Sequence, residues 1–153
     1  MSEPTADVAL LTPVPEIHLL SGVAVCAVTG FAAFGTDSGM VLSEFRSLVD
    51  DEHPADILFY PSESSRSGPP AATHRGRFAG YDGSISGKAK AAWADYRPPT
   101  TVNDGAWQSF YLVSELRALD RPILLSALNK QATKGKLAKI FIPLGPLIIQ
   151  TPF

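Results

Sequence analysis

The chain has a single cysteine in 153 residues, Cys26, so an internal disulfide and a cysteine-based zinc site are both excluded. That thiol sits between valines and alanines in GVAVCAV. These are the surroundings of a small core hydrophobe, whereas a nucleophilic cysteine needs an electropositive, partly exposed site. Histidine is scarce too: His18, His53 and His74 are the only three. DDEHPAD surrounds His53 with acids, but no second His or Cys stands at ligand spacing, and Pro54 and the charge run read as a solvated loop. His18, beside Leu19 and Leu20, reads as a half-buried helix-face residue. No apolar run reaches the roughly 18 residues that a membrane-spanning helix needs. The first residues, MSEPTADVALL, are acidic where a secretory signal is basic. The expected setting is therefore reducing and cytoplasmic, away from membranes. Serines are plentiful, yet the G-x-S-x-G elbow is missing. GSISGKA (83–89) approaches a phosphate-binding loop and fails it twice: one residue is missing between the glycines, and Ala89 stands where Ser or Thr would hold magnesium. No catalytic motif remains, and no metal or cofactor is expected.

What is present suits one domain spanning 1–153. A chain of this length buries a core without staples, and 45% hydrophobic with 18% charged residues is an ordinary globular balance. Thirteen prolines and twelve glycines argue for many turns and short elements. The net charge of −2 hides an asymmetry. Residues 1–64 hold ten acids and one base, Arg46, while residues 65–153 hold five acids and twelve bases. If the halves segregate, one face attracts a nucleic-acid backbone; if they interleave, the charges pair.

Along the chain, ADVALL reads as a first strand and TPVPEIHLLSG as a short helix or turn ended by Gly22. GVAVCAVTGFAAFG reads as a long bent strand or hairpin, since glycines in strands mark bends. MVLSEFRSLVDD has the spacing of a short amphipathic helix. DILFYPS is a clear strand, followed by a polar loop at 62–72. In THRGRFAGYDG, alternation puts Arg75, Arg77, Ala79 and Tyr81 on one face and His74, Gly76, Phe78 and Gly80 on the other. KAKAAWADYRPP is a polar connection, WQSFYLV a strand, SELRALD one or two helical turns, and IFIPLGPLIIQTP a broken terminal strand pair. Short strands with a few helices give an α+β, barrel-like domain.

Three segments in order carry a resemblance: DILFYPS (56–62), HRGRFAGY (74–81) and YRPPTTVNDGAWQSFYLVSELRALDRPILLSAL (96–128). In the last, Trp107, Phe110, Val113, Leu116, Leu119, Pro122, Ile123 and Leu125 follow the shape W-x-x-F-x-V-x-x-L-x-x-L-x-x-P-I-x-L, with one residue more between Phe110 and Val113. This pattern resembles the PUA-like superfamily, within it the EVE, ASCH and YTH group, over residues 55–150. The aromatic usual near the start of an EVE domain has no counterpart in MSEPTADVALL. The resemblance implies a small bent β-barrel with short helices packed outside and a pocket for nucleic acid, often for a modified or flipped base. Such a base is held by aromatic stacking and edge hydrogen bonds, and its flanking phosphates by Arg and Lys.

The expected site gathers Tyr60, Ser62, His74, Arg75, Arg77, Tyr81, Arg97 and Trp107. Arg97 sits at a proline-stiffened corner facing a phosphate or base, or pairs with Asp95 or Asp104. Trp107 is pocket floor or core. Two arginines on one sheet face, Arg75 and Arg77, meet acids or line a positive groove. Ser64 and Ser65 stand at the lip with the loop 62–72, and Lys130, Lys134, Lys136 and Lys139 form a basic loop. The leading expectation is a non-enzymatic module binding RNA or DNA. One alternative is an amidohydrolase-like enzyme on the same barrel, with Lys88 or Lys90 beside Glu63. Another is an assembly module that self-associates through residues 140–153.

Overall fold

The structure is a computed structural model that describes residues 6–50, 52–62, 68–84, 86–101, 105–129 and 145–153. Six strands and two α-helices follow the order β1 (Val8–Pro15), α1 (Glu16–Thr29), β2 (Phe31–Thr36), α2 (Gly39–Leu48), β3 (Asp56–Ser62), β4 (Ala71–Gly83), β5 (Ser109–Leu124) and β6 (Leu147–Gln150). Short 3-10 helices lie at Ala91–Tyr96, Pro99–Thr101 and Leu125–Ala127. All six strands join one sheet, ordered β2-β5-β4-β3-β1-β6. Only β1 and β3 run parallel. The α+β class holds, but among the described residues the sheet is open, with β2 and β6 at its edges, and closure into a barrel is not shown.

Alternation along β1 explains the two cores. Leu10 and Val14 face one cluster with Ile57, Phe59, Phe34, Tyr111 and Val113, covered by Leu19 and Cys26 of α1 and Leu42 and Phe45 of α2. Ala9 and Leu11 face a second cluster with Leu58, Ala72, Leu125, Leu128 and Ile149. Burying each large apolar side chain contributes about 1.5–3 kcal/mol. A strand buried on both faces reads as a continuous apolar run, as VALL at the start of β1 does. The sheet curls strongly towards the first cluster. The Thr12 and Tyr111 hydroxyls come within 3.4 Å although β4 and β3 stand between their strands.

Three elements differ from expectation. The helix α1 runs through Gly22 to Thr29 where a bent strand was expected from residue 22 onward. Leu19, Gly22 and Cys26 are its buried positions, a helical spacing masked by the apolar residues around them. A Cβ on Gly22 would stand 2.6 Å from Phe34 Cζ, so this glycine admits the Phe34 ring and does not end the helix. Termination falls to Gly30, left-handed at φ 93°, whose N–H donates to Cys26 O at 2.8 Å.

The strand β5 continues through SELRALDRPIL, where helical turns were expected. Between the pairs Arg77↔Ser114 and Arg75↔Arg117 it carries one residue more than β4, a bulge at which Glu115 takes φ 52°. The bulge returns Leu116 to the first core, so the Leu116/Leu119 spacing arises from a bent strand. A second bulge, on β4 between Phe78 and Gly80, breaks the predicted alternation. Tyr81 pairs with Tyr111 and packs with Phe78 against the first cluster, on the face opposite Arg75 and Arg77. At the far end β6 pairs with β1, with Ile148 and Ile149 buried in the two cores. Residues 140–144 of the expected strand pair lie outside the described residues.

The acidic and basic halves of the chain interleave, since β5 and β4 lie between β2 and β3. Arg75 accordingly meets Asp56 in a two-toothed contact, Nε to Oδ1 at 3.1 Å and Nη2 to Oδ2 at 3.3 Å.

Candidate functional site

Beyond Leu11, β1 has no strand on the β6 side among the described residues, because β6 pairs only with Val8 to Leu11. Proline, which lacks an N–H, is tolerated at such an edge. Pro13 and Pro15 fall there. Across from this edge the curled sheet brings up the end of β2 and the turn after it. A cavity of about 380 Å³ lies between them. Its walls are Thr12 to Pro15 of β1, His18 of α1, Phe34 to Ser38, Arg97, Thr101, Trp107, Gly145 and Pro146.

Trp107 is seated by its neighbours. Its backbone N–H donates to Gly87 O at 3.0 Å, and the N–H of Ser84 to Gln108 O at 2.7 Å, so 105–108 extends β5 along the 84–88 turn. On the other side the Gln108 N–H donates to Asp37 Oδ1 at 3.1 Å. The indole lies across Gly35. A Cβ there would collide with Cγ and Cδ1 of the ring. The Trp107 Nε1–H is buried and has no hydrogen-bond partner among the described residues. An unmet buried donor costs about 1–3 kcal/mol.

Arg97 follows the 3-10 helix Ala91–Tyr96, which Tyr96 fastens to Phe31 of β2 with ring centroids 5.2 Å apart. The Arg97 guanidinium donates from Nη1 to Ala33 O at 2.9 Å and lies 5.0 Å over the Phe110 ring. As β2 is an edge strand among the described residues, this arginine satisfies a carbonyl that no described strand reaches on that side. The prolines then turn the chain onto α1. Thr101 bonds back to Pro98 O through its N–H at 2.9 Å and its hydroxyl at 2.6 Å. Thr100 Oγ1 meets His18 Nδ1 at 2.9 Å. The Arg-Pro-Pro corner thus ties β2, β5 and α1 together and forms one wall of the cavity. Asp104, a suggested partner for Arg97, lies outside the described residues.

Of the eight expected site residues, the cavity collects two, Arg97 and Trp107. Tyr60 packs against the second core, and Ser62 ends β3 opposite Pro15. Arg75 and Arg77 do share a face, but they meet acids there. Arg75 pairs with Asp56, which is 1% exposed, and lies under the Phe153 ring at 3.5 Å. Arg77 Nε stands 3.1 Å from Glu115 Oε2. Tyr81 is on the other face, as the β4 bulge requires. Glu63, Ser64, Ser65 and Lys130, Lys134, Lys136 and Lys139 lie outside the described residues; Lys90 lies over the Trp93 ring, with Nζ 4.5 Å from its centroid.

His74 is half-buried beside Phe59 and shares a 2.9 Å hydrogen bond with Thr73 Oγ1. Burial holds its pKa below the ordinary 6.5, partly opposed by the negative charge of Glu16. As pH falls below about 6.5 the unfolded chain takes up this proton before the folded one does. Stability is therefore full above that pH and declines below it. His74→Gln should flatten this decline in urea midpoints measured between pH 7.5 and 5; an unchanged slope would contradict it. On the same inner face, burial pushes the Tyr111 phenol pKa far up, so it stays neutral next to Thr12.

The sequence reading missed Thr12, Pro13, Gly35, Thr36, Asp37 and Ser38. The signals were present: two prolines closing an apolar strand mark an unpaired edge, and GTDSG after the apolar run FAAF marks a strand end.

No protein-family model matches the chain, and no curated protein matches it. It is similar to the crystal structure of a protein from Pseudomonas putida, a structural-genomics target, at a TM-score of 0.46 and 16% identity, over 76% of this chain and 73% of that one. So slight a likeness transfers neither fold detail nor activity.

Proposed function

We propose that the chain is a non-enzymatic, PUA-like nucleic-acid binding module that takes one modified or flipped base of RNA or DNA into the cavity between β1 and β2. The convergence of Arg97 and Trp107 on one cavity of about 380 Å³ carries this reading. That volume lies within the range of about 300–1,000 Å³ seen for small-ligand pockets. The charge of the lining favours a base over a phosphate. The lining holds one cation, Arg97, and one carboxylate, Asp37, and Thr12, Thr36, Ser38, Thr101 and His18 add polar groups. A neutral, planar, polar group suits such walls, whereas a phosphate calls for clustered cations. The strongly curled sheet with helices over its inner core is compatible with a PUA-like plan. The lone buried Cys26 thiol, which accepts from the Leu116 N–H at 3.4 Å, suits a reducing, cytoplasmic compartment.

Fluorescence anisotropy with short single-stranded RNA, single-stranded DNA and duplex at two salt concentrations tests the proposal. Saturable binding that weakens with salt is expected. Arg97→Ala should weaken it about 10- to 100-fold, the loss of a charged hydrogen-bonding group. Circular dichroism checks that the variant is folded. No binding at low salt, or equal binding by folded Arg97→Ala, would contradict the proposal.

A further inference from the structure

The helix α1 lacks the polar outer face that a surface helix carries. Its acidic and basic residues, Glu16 and His18, both stand in the first turn, and Leu19 to Thr29 has none. A helix apolar all round is ordinarily buried, yet α1 is buried only along Leu19, Gly22 and Cys26. At about 100° per residue, the direction opposite those three falls on Ala24, flanked by Ile17, Leu20, Ser21 and Val28. Ile17 is 62% exposed, Leu20 56% and Val28 87%, and Ala24 is exposed with them. None of these residues lines the cavity between β1 and β2.

The relief of this face is also ordered. Leu20, Ala24 and Val28 stand four apart and form one ridge. Ser21, Val25 and Thr29 form the next. A groove of about 320 Å³ is lined by Ser21, Ala24, Val25, Val28 and Thr29, with Asp95 and Pro99 on its far bank. Ridges four apart set into grooves of the same kind are the commonest packing of two helices, at a crossing angle of about −50°.

We propose that this face is a dimer interface between two copies of the chain: the ridge Leu20–Ala24–Val28 of each copy lies in the groove of the other, about a twofold axis beside Ala24. A twofold contact sets one patch against itself, so it needs ridge and groove side by side and no charge at its centre. This face of α1 meets both conditions. The small side chains of Ser21 and Ala24 let the two helices approach closely at the crossing. A net charge of −2 leaves little long-range repulsion between copies. Other occupants fit less well. A membrane surface calls for Lys or Arg and large aromatics along such a helix, and α1 has none. An acidic partner finds no cation on the face, and a basic one meets a single carboxylate, Asp95, on one bank. The 14 residues of α1 make a helix about 21 Å long, so the contact falls at the small end of interface sizes, below about 1,200 Å² in total. The dimer is accordingly reversible, with a dissociation constant on the order of 10–100 μM.

Sedimentation velocity of the full chain between about 5 and 500 μM, a range that spans such a constant, tests the proposal. The expected result is a monomer at the low end that passes into a dimer, and no larger species, at the high end. Ala24→Lys changes an exposed position and leaves the core untouched, which circular dichroism checks. It sets each lysine against its twin and should weaken the dimer at least about tenfold. In a second arm, mild oxidation of Ala24→Cys at high concentration should give a disulfide-linked pair, because a twofold axis beside residue 24 brings the two thiols together. Glu44→Cys, exposed on α2, should stay unlinked, and the native Cys26 is buried. A wild-type chain that stays monomeric throughout, assemblies that grow past the dimer, or a dimer that folded Ala24→Lys leaves intact would each overturn the proposal. Equal linking of Ala24→Cys and Glu44→Cys would overturn the placement of the axis.

Discussion

Gly35→Val should abolish ligand binding and lower stability in a single step. A Cβ at position 35 overlaps the Trp107 ring at Cγ and Cδ1 and stands 2.9 Å from Trp107 Cβ. These atoms lie close to the backbone and cannot swing aside like the end of a flexible chain. The backbone is itself held, by Trp107 N–H to Gly87 O at 3.0 Å and by Gln108 N–H to Asp37 Oδ1 at 3.1 Å. Either the indole leaves its seat or the end of β2 moves away from it, and both dismantle the cavity. Overpacking of this kind costs about 1–3 kcal/mol. The expected result is a lowered urea midpoint, an emission of Trp107 shifted to longer wavelength in a Trp93→Phe background, and loss of oligonucleotide binding. Adding Trp107→Ala should return much of the stability and none of the binding. A Gly35→Val protein that binds like the wild type would contradict the seating of Trp107.

The second large effect concerns stability alone. Arg75→Ala leaves the Asp56 carboxylate buried without its two-toothed partner. Breaking one side of a buried ion pair costs about 3–5 kcal/mol. Against a typical domain stability of about 5–15 kcal/mol, this is a large fraction. The double variant Arg75→Met/Asp56→Leu should lie near the wild type, because a well-packed apolar pair removes the orphaned charge together with its partner. At a temperature where Arg75→Ala is still folded, its oligonucleotide affinity should be unchanged, since Arg75 is remote from the cavity wall. Wild-type stability of Arg75→Ala would refute the structural role. Weakened binding by the folded variant would restore the arginine face as a contact surface.

Much of the scaffold was legible where one signal dominates. DILFYPS matches β3 residue for residue, because an apolar run closed by Pro and Ser has few other outcomes. MVLSEFRSL places Leu42 and Phe45 on one helical face, and α2 buries those two. GVAVCAVT was not legible. Valines and alanines surround its buried positions, so neither a period of two nor one of 3.6 stands out, and the helix is chosen by its fit against Phe34 and its stop at Gly30. SELRALD failed for a related reason: a bulge shifts the phase of a strand and imitates helical spacing at Leu116 and Leu119.

The site was half legible. Arg97 and Trp107 stood out because an arginine between an aromatic and two prolines, and a tryptophan at a strand start, are conspicuous residues. The opposite wall is made of Thr12, Pro13, Gly35 and Asp37, which become a wall only when the sheet curls and β6 stops short. Curvature and strand length are tertiary properties that local pattern does not carry. The same holds for Tyr81, placed on the wrong face by a single extra residue in β4.

The central claim is that the cavity beside Trp107 is where the ligand sits. The most direct measurement is a titration of the Trp93→Phe protein with single-stranded RNA and DNA, reading the fluorescence of Trp107, then the only tryptophan. Saturable quenching, with the same midpoint as the anisotropy of the labelled strand, is the predicted result. Anisotropy that saturates while Trp107 emission stays flat would place the nucleic acid elsewhere on the surface and contradict the account.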